Sequence, residues 1–480
     1  IQSGTTVHYD SGTYVFSDPS NYGYTIALNG SNIAIICNDT VFEFSGNQGR
    51  NSLDNYVNGI HGWHSGDWNW DTEYQNITIK GCTFKNYTVG VFTQNIMGLI
   101  LDGNKFYNNY YSGAQVSVAK CQLDNDTWID KTIWDANWSI PCVRGFGYAE
   151  IIDNYFAGKP EWDRLYGDGQ RWNRGFGLLI EGQRGGIIKD NILAGNFSAN
   201  HIRPVCLSNF TLENNTFYGA AYLVVWGLCE RGSIWYSDNV TWRNNRWMHT
   251  SANVYTGEAA PLTFASAENT RNWLFENNYI QNTQVGIWDR SSSNQVKNNV
   301  FRNNILHNTI FPMESDYANN GRWINNRAYN DEGFCWTGRT GVVICLNDTI
   351  YTPSGIVVYF SDNGYYENND IEDFNGYYDV YIESSYNNTG CGNVYNTSNV
   401  NLVGVSPSDN DISTDACPTP PRPRTFESSL IGLVFIGSAI FMIVRIMTWD
   451  FGDYKNFVKA ILGLVIIISL ITIGAVMLVF

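Results

Sequence analysis

FTLENNTF at residues 210–217 and VTWRNNRW at 240–247 share one design: apolar and polar residues alternate, a pair of asparagines interrupts them, and an apolar residue resumes the alternation. The design returns in NITIKGCTF (76–84), LILDGNKF (99–106), EIIDNYF (150–156) and GIIKDNIL (186–193). Beyond it come WLFENNYI (273–280), QVKNNVF (295–301) and RWINNRAY (322–329). Alternation is the signature of a strand with one buried face. Asparagine at the break tolerates a left-handed backbone, and its amide can bond to its equivalent in a neighbouring coil. The asparagines at 104, 154, 191, 215, 245, 278, 299 and 326 recur at intervals between 21 and 50 residues. That spacing predicts one coil per interval, with insertions confined to turns. A sandwich would place turns about every ten residues, and a propeller would keep a stricter period. The expected fold is all-β, a parallel β-helix solenoid over residues 1–400.

Two further segments change character. LIGLVFIGSAIFMIVRIM (430–447) and AILGLVIIISLITIGAVMLVF (460–480) are each long enough to cross a hydrocarbon layer of roughly 30 Å. The intervening WDFGDYKNFVK suits a tight loop, so a two-helix transmembrane hairpin is expected. Residues 401–429, rich in Pro, Ser and Asp, read as a stalk before it. The chain opens on Ile1 without an apolar leader, which reads as a mature exported protein.

Thirteen N-x-S/T sequons precede residue 400: Asn29, Asn38, Asn76, Asn86, Asn125, Asn137, Asn196, Asn209, Asn214, Asn239, Asn347, Asn387 and Asn396. They fit a glycosylated ectodomain outside the cell or virion membrane. Ten cysteines, Cys37, Cys82, Cys121, Cys142, Cys206, Cys229, Cys335, Cys345, Cys391 and Cys417, include no CxxC pair and favour disulfides over zinc. Pairings 37–82, 121–142, 206–229, 335–345 and 391–417 are the local options. With 29 basic against 45 acidic residues and a net charge of -16, nucleic acid is not an expected partner.

The opening SGTYVF (11–16), IALNGSNIAIICNDTVFEFSG (26–46) and the later asparagine-pair coils resemble the right-handed β-helix, pectin-lyase-like superfamily, especially its NosD-like and archaeal cell-surface members. The resemblance spans roughly residues 5–400 and implies the solenoid, not an activity, because the superfamily hosts enzymes, adhesins, tailspikes and inert surface proteins. Its hydrolases carry NTD, paired DD, GHG and RIK motifs. Here only Ile60-His61-Gly62 approaches one of them, with no paired aspartate beside it. The sequence therefore nominates no catalytic residue, no cofactor and no metal site.

Two loops mix acids with aromatics. GIHGWHSGDWNWDTEY (59–74) gathers His61, His64 and Glu73 around the sugar-binding candidates Trp63, Asp67, Trp68, Trp70 and Asp71, and reads first as an aromatic loop packed over the end of the solenoid, with sugar binding and catalysis or metal ligation as the alternatives. KPEWDRLYGDGQRWNRGFG (159–177) is the second, and it reads first as a long inter-coil loop. Indole faces stack on sugars while carboxylates accept hydroxyl protons. The reading that follows is a membrane-anchored extracellular glycoprotein with a structural, adhesive or glycan-binding role in a cell envelope or virion surface. Its partners would be membrane lipid, copies of itself or other envelope proteins, and glycans. The alternatives are a tethered polysaccharide lyase or glycoside hydrolase, and an accessory subunit of a larger membrane complex.

Overall fold

The computed structural model describes residues 1–17, 23–46, 57–62, 74–94, 96–117, 120–122, 128–130, 147–158, 176–195, 197, 201–205, 207–219, 237–248, 262–266, 270–331, 335–337, 343–345, 354–371 and 377–417. Its strands pair almost wholly in parallel, each with the strand one coil away, which makes Ile1–Ala416 a parallel β-helix. The first sheet runs from Thr6–Tyr9 to Asn410–Ile412, and the second from Gly12–Phe16 to Val400–Val403. A third sheet of six strands, from Tyr24–Ala27 to Ile202–Val205, closes the N-terminal coils. In the C-terminal coils the second-sheet strands lengthen instead, to Tyr279–Val296 and Ile305–Asn319. The solenoid thus continues past residue 401, where the sequence places the start of the stalk. Val400 pairs with Val380, and Asn410 with Asn388.

The asparagine pairs divide their labour. The first member is left-handed: Asn214, Asn244, Asn277, Asn303, Asn325 and Asn368 all lie at φ 50–57°. Gly103 and Gly392 take the same place where asparagine is missing. The second member is buried and builds a ladder. Asn104, Asn154, Asn191, Asn215, Asn245, Asn278, Asn304, Asn326, Asn369 and Asn393 are linked amide to amide at 2.9–3.1 Å. Most Nδ2 groups also bond a backbone carbonyl, as Asn278 does with Trp242. This satisfies corner groups that burial would otherwise leave without water. Asn299, expected in the ladder, stands at the other end of the first-sheet strand: its Oδ1 accepts from Trp273 N, and Asn304 holds the seat. QVKNNVFRNN contains two asparagine pairs, and only register separates them.

Ring columns fill the interior. Phe42, Phe84, Phe106 and Phe156 stack at 5.6, 5.5 and 4.7 Å. Phe217 with Trp247, and Phe301 with Trp323, continue the pattern at 4.9 and 4.2 Å. Because parallel register sets like residues over like, each ring is buried only once its neighbour coil is in place.

The Cys37–Cys82 disulfide ties adjacent coils, with Cys82 in the ladder column: its backbone N–H donates to Asn104 Oδ1. Cys335 lies directly opposite Cys345 in an antiparallel pair, and Cys391 and Cys417 are each disulfide-bonded. Among the described residues no helix is long and apolar enough to cross a membrane. The expected spans, 430–447 and 460–480, lie outside the described residues.

Candidate functional site

Of the two acid–aromatic loops, Trp63, His64, Asp67, Trp68, Trp70, Asp71 and Glu73, together with 159–175, lie outside the described residues. His61 is described, and it is a packing residue. Its ring lies between Tyr24 and Phe92, each 5.3 Å away, and its Nδ1 accepts from Asn58 Nδ2 at 2.9 Å. Burial lowers its pKa to about 4, so the imidazole is neutral at ordinary pH.

The structure assembles a different group on the long C-terminal strands. Register aligns Trp288, Glu314, Val357 and Tyr381 in one column and Arg290, Asp316, Tyr359 and Glu383 in the next. Adjacent coils in such a column stand roughly 4.8 Å apart. Arg290 joins the columns: its guanidinium lies 4.3 Å from the Trp288 ring centre, and its Nε is 3.6 Å from Asp316 Oδ2. Tyr381 Oη donates to Glu383 at 2.8 Å and packs 5.4 Å from Tyr359. Tyr378 and the 60% exposed Tyr377 extend the aromatic surface.

The carboxyls have unusual proton affinities. Burial, reinforced by Asp316 and opposed by Arg290, raises Glu314 to about 8. Burial also raises Asp316, against the pull of Arg290 and Lys297. Tyr359 is pushed up to about 12 by burial and then by Glu314, Glu383 and Asp316. The strip therefore sets Glu314, which holds its proton to about pH 8, beside Asp316, the Arg290 guanidinium and stacked rings.

Beneath it the interior is charged. Asp289 and Lys297, both 0% exposed, approach to 3.5 Å. Lys297 Nζ donates to the Arg290 carbonyl and, at 3.2 Å, to Thr270 Oγ1, while Asn299 Nδ2 donates to Asp289 Oδ1 at 3.0 Å. Three acceptors around one ammonium offset much of its desolvation. At the edge of the strip, Tyr317 and Phe360 adopt left-handed backbones, φ 54° and 45°, with their rings stacked at 4.7 Å. Bulky residues at positive φ mark strain that the surrounding structure must hold, and such strain gathers at functional sites. The sequence hid this strip because WDR (288–290), ESD (314–316) and YIE (381–383) are individually unremarkable and far apart in the chain.

Of the sequons, Asn29, Asn38, Asn76, Asn209, Asn214, Asn239, Asn387 and Asn396 are exposed and Asn86 is half-buried. Asn125, Asn137, Asn196 and Asn347 lie outside the described residues.

The geometry makes this a parallel β-helix protein with a surface strip suited to ring-bearing polar ligands. A family model described as "Right handed beta helix region" matches residues 58–264. Among solved structures, a tailspike protein of E. coli bacteriophage HK620 in complex with pentasaccharide is similar at 13% identity and TM-score 0.46, over 83% of this chain and 72% of that one. PfbA, a surface adhesin of Streptococcus pneumoniae, is similar at 12% identity and TM-score 0.38, over 86% and 85%. Neither likeness adds to what the strand pairing establishes. No curated protein matches the chain.

Proposed function

We propose that this protein is a glycan-binding surface glycoprotein, held at a membrane by residues 430–447 and 460–480 and displaying its solenoid outside. The observation that carries the binding role is the cluster around Trp288, Glu314, Asp316 and Tyr381, where parallel register brings rings and carboxyls together on adjacent coils, with Val357 buried between Glu314 and Tyr381. Sugars present the complementary pattern of C–H faces edged by hydroxyls. Many copies in one membrane would convert weak single contacts into avid adhesion. The test is binding of the detergent-solubilised full chain to a glycan array. Trp288→Ala and Tyr381→Ala should each weaken binding roughly tenfold while leaving the melting temperature within a few degrees; unchanged binding in both variants would refute the strip as the site.

A second reading, glycoside hydrolysis, is favoured by one observation: Glu314 holds its proton to about pH 8 beside Asp316. Glycosidic cleavage uses a pair of carboxyls, one of which delivers a proton to the leaving oxygen. Release of new reducing ends from a bound glycan, abolished by Glu314→Gln with binding retained, would establish it. Binding without any release would leave adhesion.

A further inference from the structure

The buried pair beneath the strip is arranged as two groups set to condense. Lys297 Nζ and Asp289 Oδ1 stand 3.5 Å apart, with both side chains 0% exposed. A charge-assisted hydrogen bond closes to roughly 2.7–2.9 Å, so these two charges leave water without reaching the contact that would best compensate them. Lys80 and Asp102 give the contrast. They approach to 2.6 Å, but their side chains are 55% and 28% exposed, and water solvates both charges.

Neighbouring groups hold each partner in one orientation. Nζ donates to the Arg290 carbonyl and, at 3.2 Å, to Thr270 Oγ1, which commits two of its three N–H directions and leaves the third for Asp289. Asn299 Oδ1 accepts from Trp273 N at 3.0 Å, and this fixes the amide so that its Nδ2 donates to Asp289 Oδ1, also at 3.0 Å. Beside the other carboxylate oxygen Gly321 leaves room. An atom at the position of a Gly321 Cβ would stand 3.5 Å from Asp289 Oδ2 and 3.4 Å from Trp323 Nε1, with nothing nearer. That indole N–H is buried and has no acceptor among the described residues.

We infer that the folded chain joins Lys297 to Asp289 by an intramolecular amide bond between Nζ and Cγ. In a dry interior one proton passes from the ammonium to Oδ2, which leaves two uncharged groups and an amine lone pair in the direction of Asp289. Nζ attacks Cγ, and the displaced electron pair goes to Oδ1, where Asn299 Nδ2 donates to the developing charge. The Cγ–Oδ2 bond then breaks as Oδ1 regains its double bond. Oδ2 takes the second proton given up by nitrogen and departs as water into the space at Gly321, while Nζ keeps its third hydrogen as an amide N–H. Ammonium and carboxylate thus become amide and water, with no oxidant or co-reactant. Fixed proximity replaces an encounter in solution, and exclusion of bulk water removes the nucleophile that would reverse the step. The bond would close the segment between residues 289 and 297 and pin the strand that carries Trp288 and Arg290. It stands whether or not the strip binds glycans.

The test is mass spectrometry of the purified full chain, reduced, denatured and digested with trypsin. Unlinked, the region gives the peptides 272–290, 291–297 and 298–302, none of which contains a sequon to complicate its mass. Linked, Lys297 resists cleavage, and 272–290 appears joined to 291–302 at one water less than the sum of the two, with fragment ions that place the branch between Asp289 and Lys297. Lys297→Arg and Asp289→Ala should each release 272–290 as a free peptide. The parent digest decides the matter even if neither variant folds. Free 272–290 and 291–297 as the only products from the parent, loss of ammonia in place of water with the branch on Asn299, or a linkage that persists in either variant would each overturn the inference.

Discussion

The N-terminal and C-terminal coils obey one corner rule but fill their interiors differently. Between residues 24 and 205 three sheets close around an apolar centre, with the phenylalanine stack and the Cys37–Cys82 bond at its core. Strands of its third sheet, such as Asn58–Gly62 and Phe176–Glu181, are buried on nearly every residue. Between 270 and 383 no strand of the third sheet occurs among the described residues, Trp323 and Tyr366 replace smaller rings, and an ion pair sits at the centre beneath a charged surface. A solenoid can thus change its contents coil by coil while its asparagine corner stays fixed, and the candidate strip lies where the contents became polar.

The sharpest way to break this contrast is to remove one member of the ion pair. Asp289→Leu leaves the buried Lys297 ammonium without its carboxylate and should cost about 3–5 kcal/mol in denaturant unfolding, whereas Asp289→Leu with Lys297→Met should recover most of the loss. If the single variant is as stable as the parent, the pair is not what organises the C-terminal coils. Reduction of Cys37–Cys82 acts on the other region and should cost about 2–4 kcal/mol, read as a lower melting temperature with faster proteolysis of the N-terminal coils. The shared corner is tested by Asn278→Ala, which strips an acceptor from Asn245 N and a donor from the Trp242 carbonyl. It should cost about 2 kcal/mol, and more than Asn277→Ala, whose left-handed backbone accounts for about 1–2 kcal/mol at most.

The smallest effects separate the regions by pH. His61 has a folded pKa near 4, below the ordinary 6.5, so the unfolded chain binds its proton first. Its contribution to stability is complete above pH 6.5 and declines as pH falls toward 4. Glu314, raised to about 8, has the opposite sign: its contribution is complete below pH 4.5 and is lost as pH rises through 8. Melting curves from pH 4 to 9 should show the acid slope flattened by His61→Gln and the alkaline slope flattened by Glu314→Gln. Parent-like slopes in both variants would remove these two groups as the cause.

The solenoid was legible in the sequence because its corner is local. Alternation, break and resumed alternation all fall within eight residues, as in FTLENNTF, and the column can be followed by eye. Which asparagine of a pair turns the chain and which enters the ladder was not legible, because the two are chemically identical and only strand register assigns them. Asn299 shows the limit: it has the right neighbours and the wrong corner. The strip was less accessible still. Arg290 meets Asp316 only after pairing carries the intervening residues through a full coil, and Glu383 joins only with two coils more. Local density of acids and aromatics instead singles out 59–74, where His61 and Tyr74, both described, are buried.

The asparagine ladder also bears on how the molecule ages. Asparagine degrades when the next residue's backbone nitrogen attacks its side-chain amide, and chains exposed to harsh conditions tend to shed this residue for that reason. In the ladder that nitrogen is already engaged: Tyr279 N bonds the Asn245 carbonyl, Ile305 N that of Asn278, and Arg327 N that of Asn304. The amide under attack is held as well, its oxygen and nitrogen both committed to neighbouring coils. Cyclisation would have to break several bonds and turn the side chain inside a packed corner. The residue type that builds the solenoid is thereby kept, in its ladder positions, from its own chemical clock.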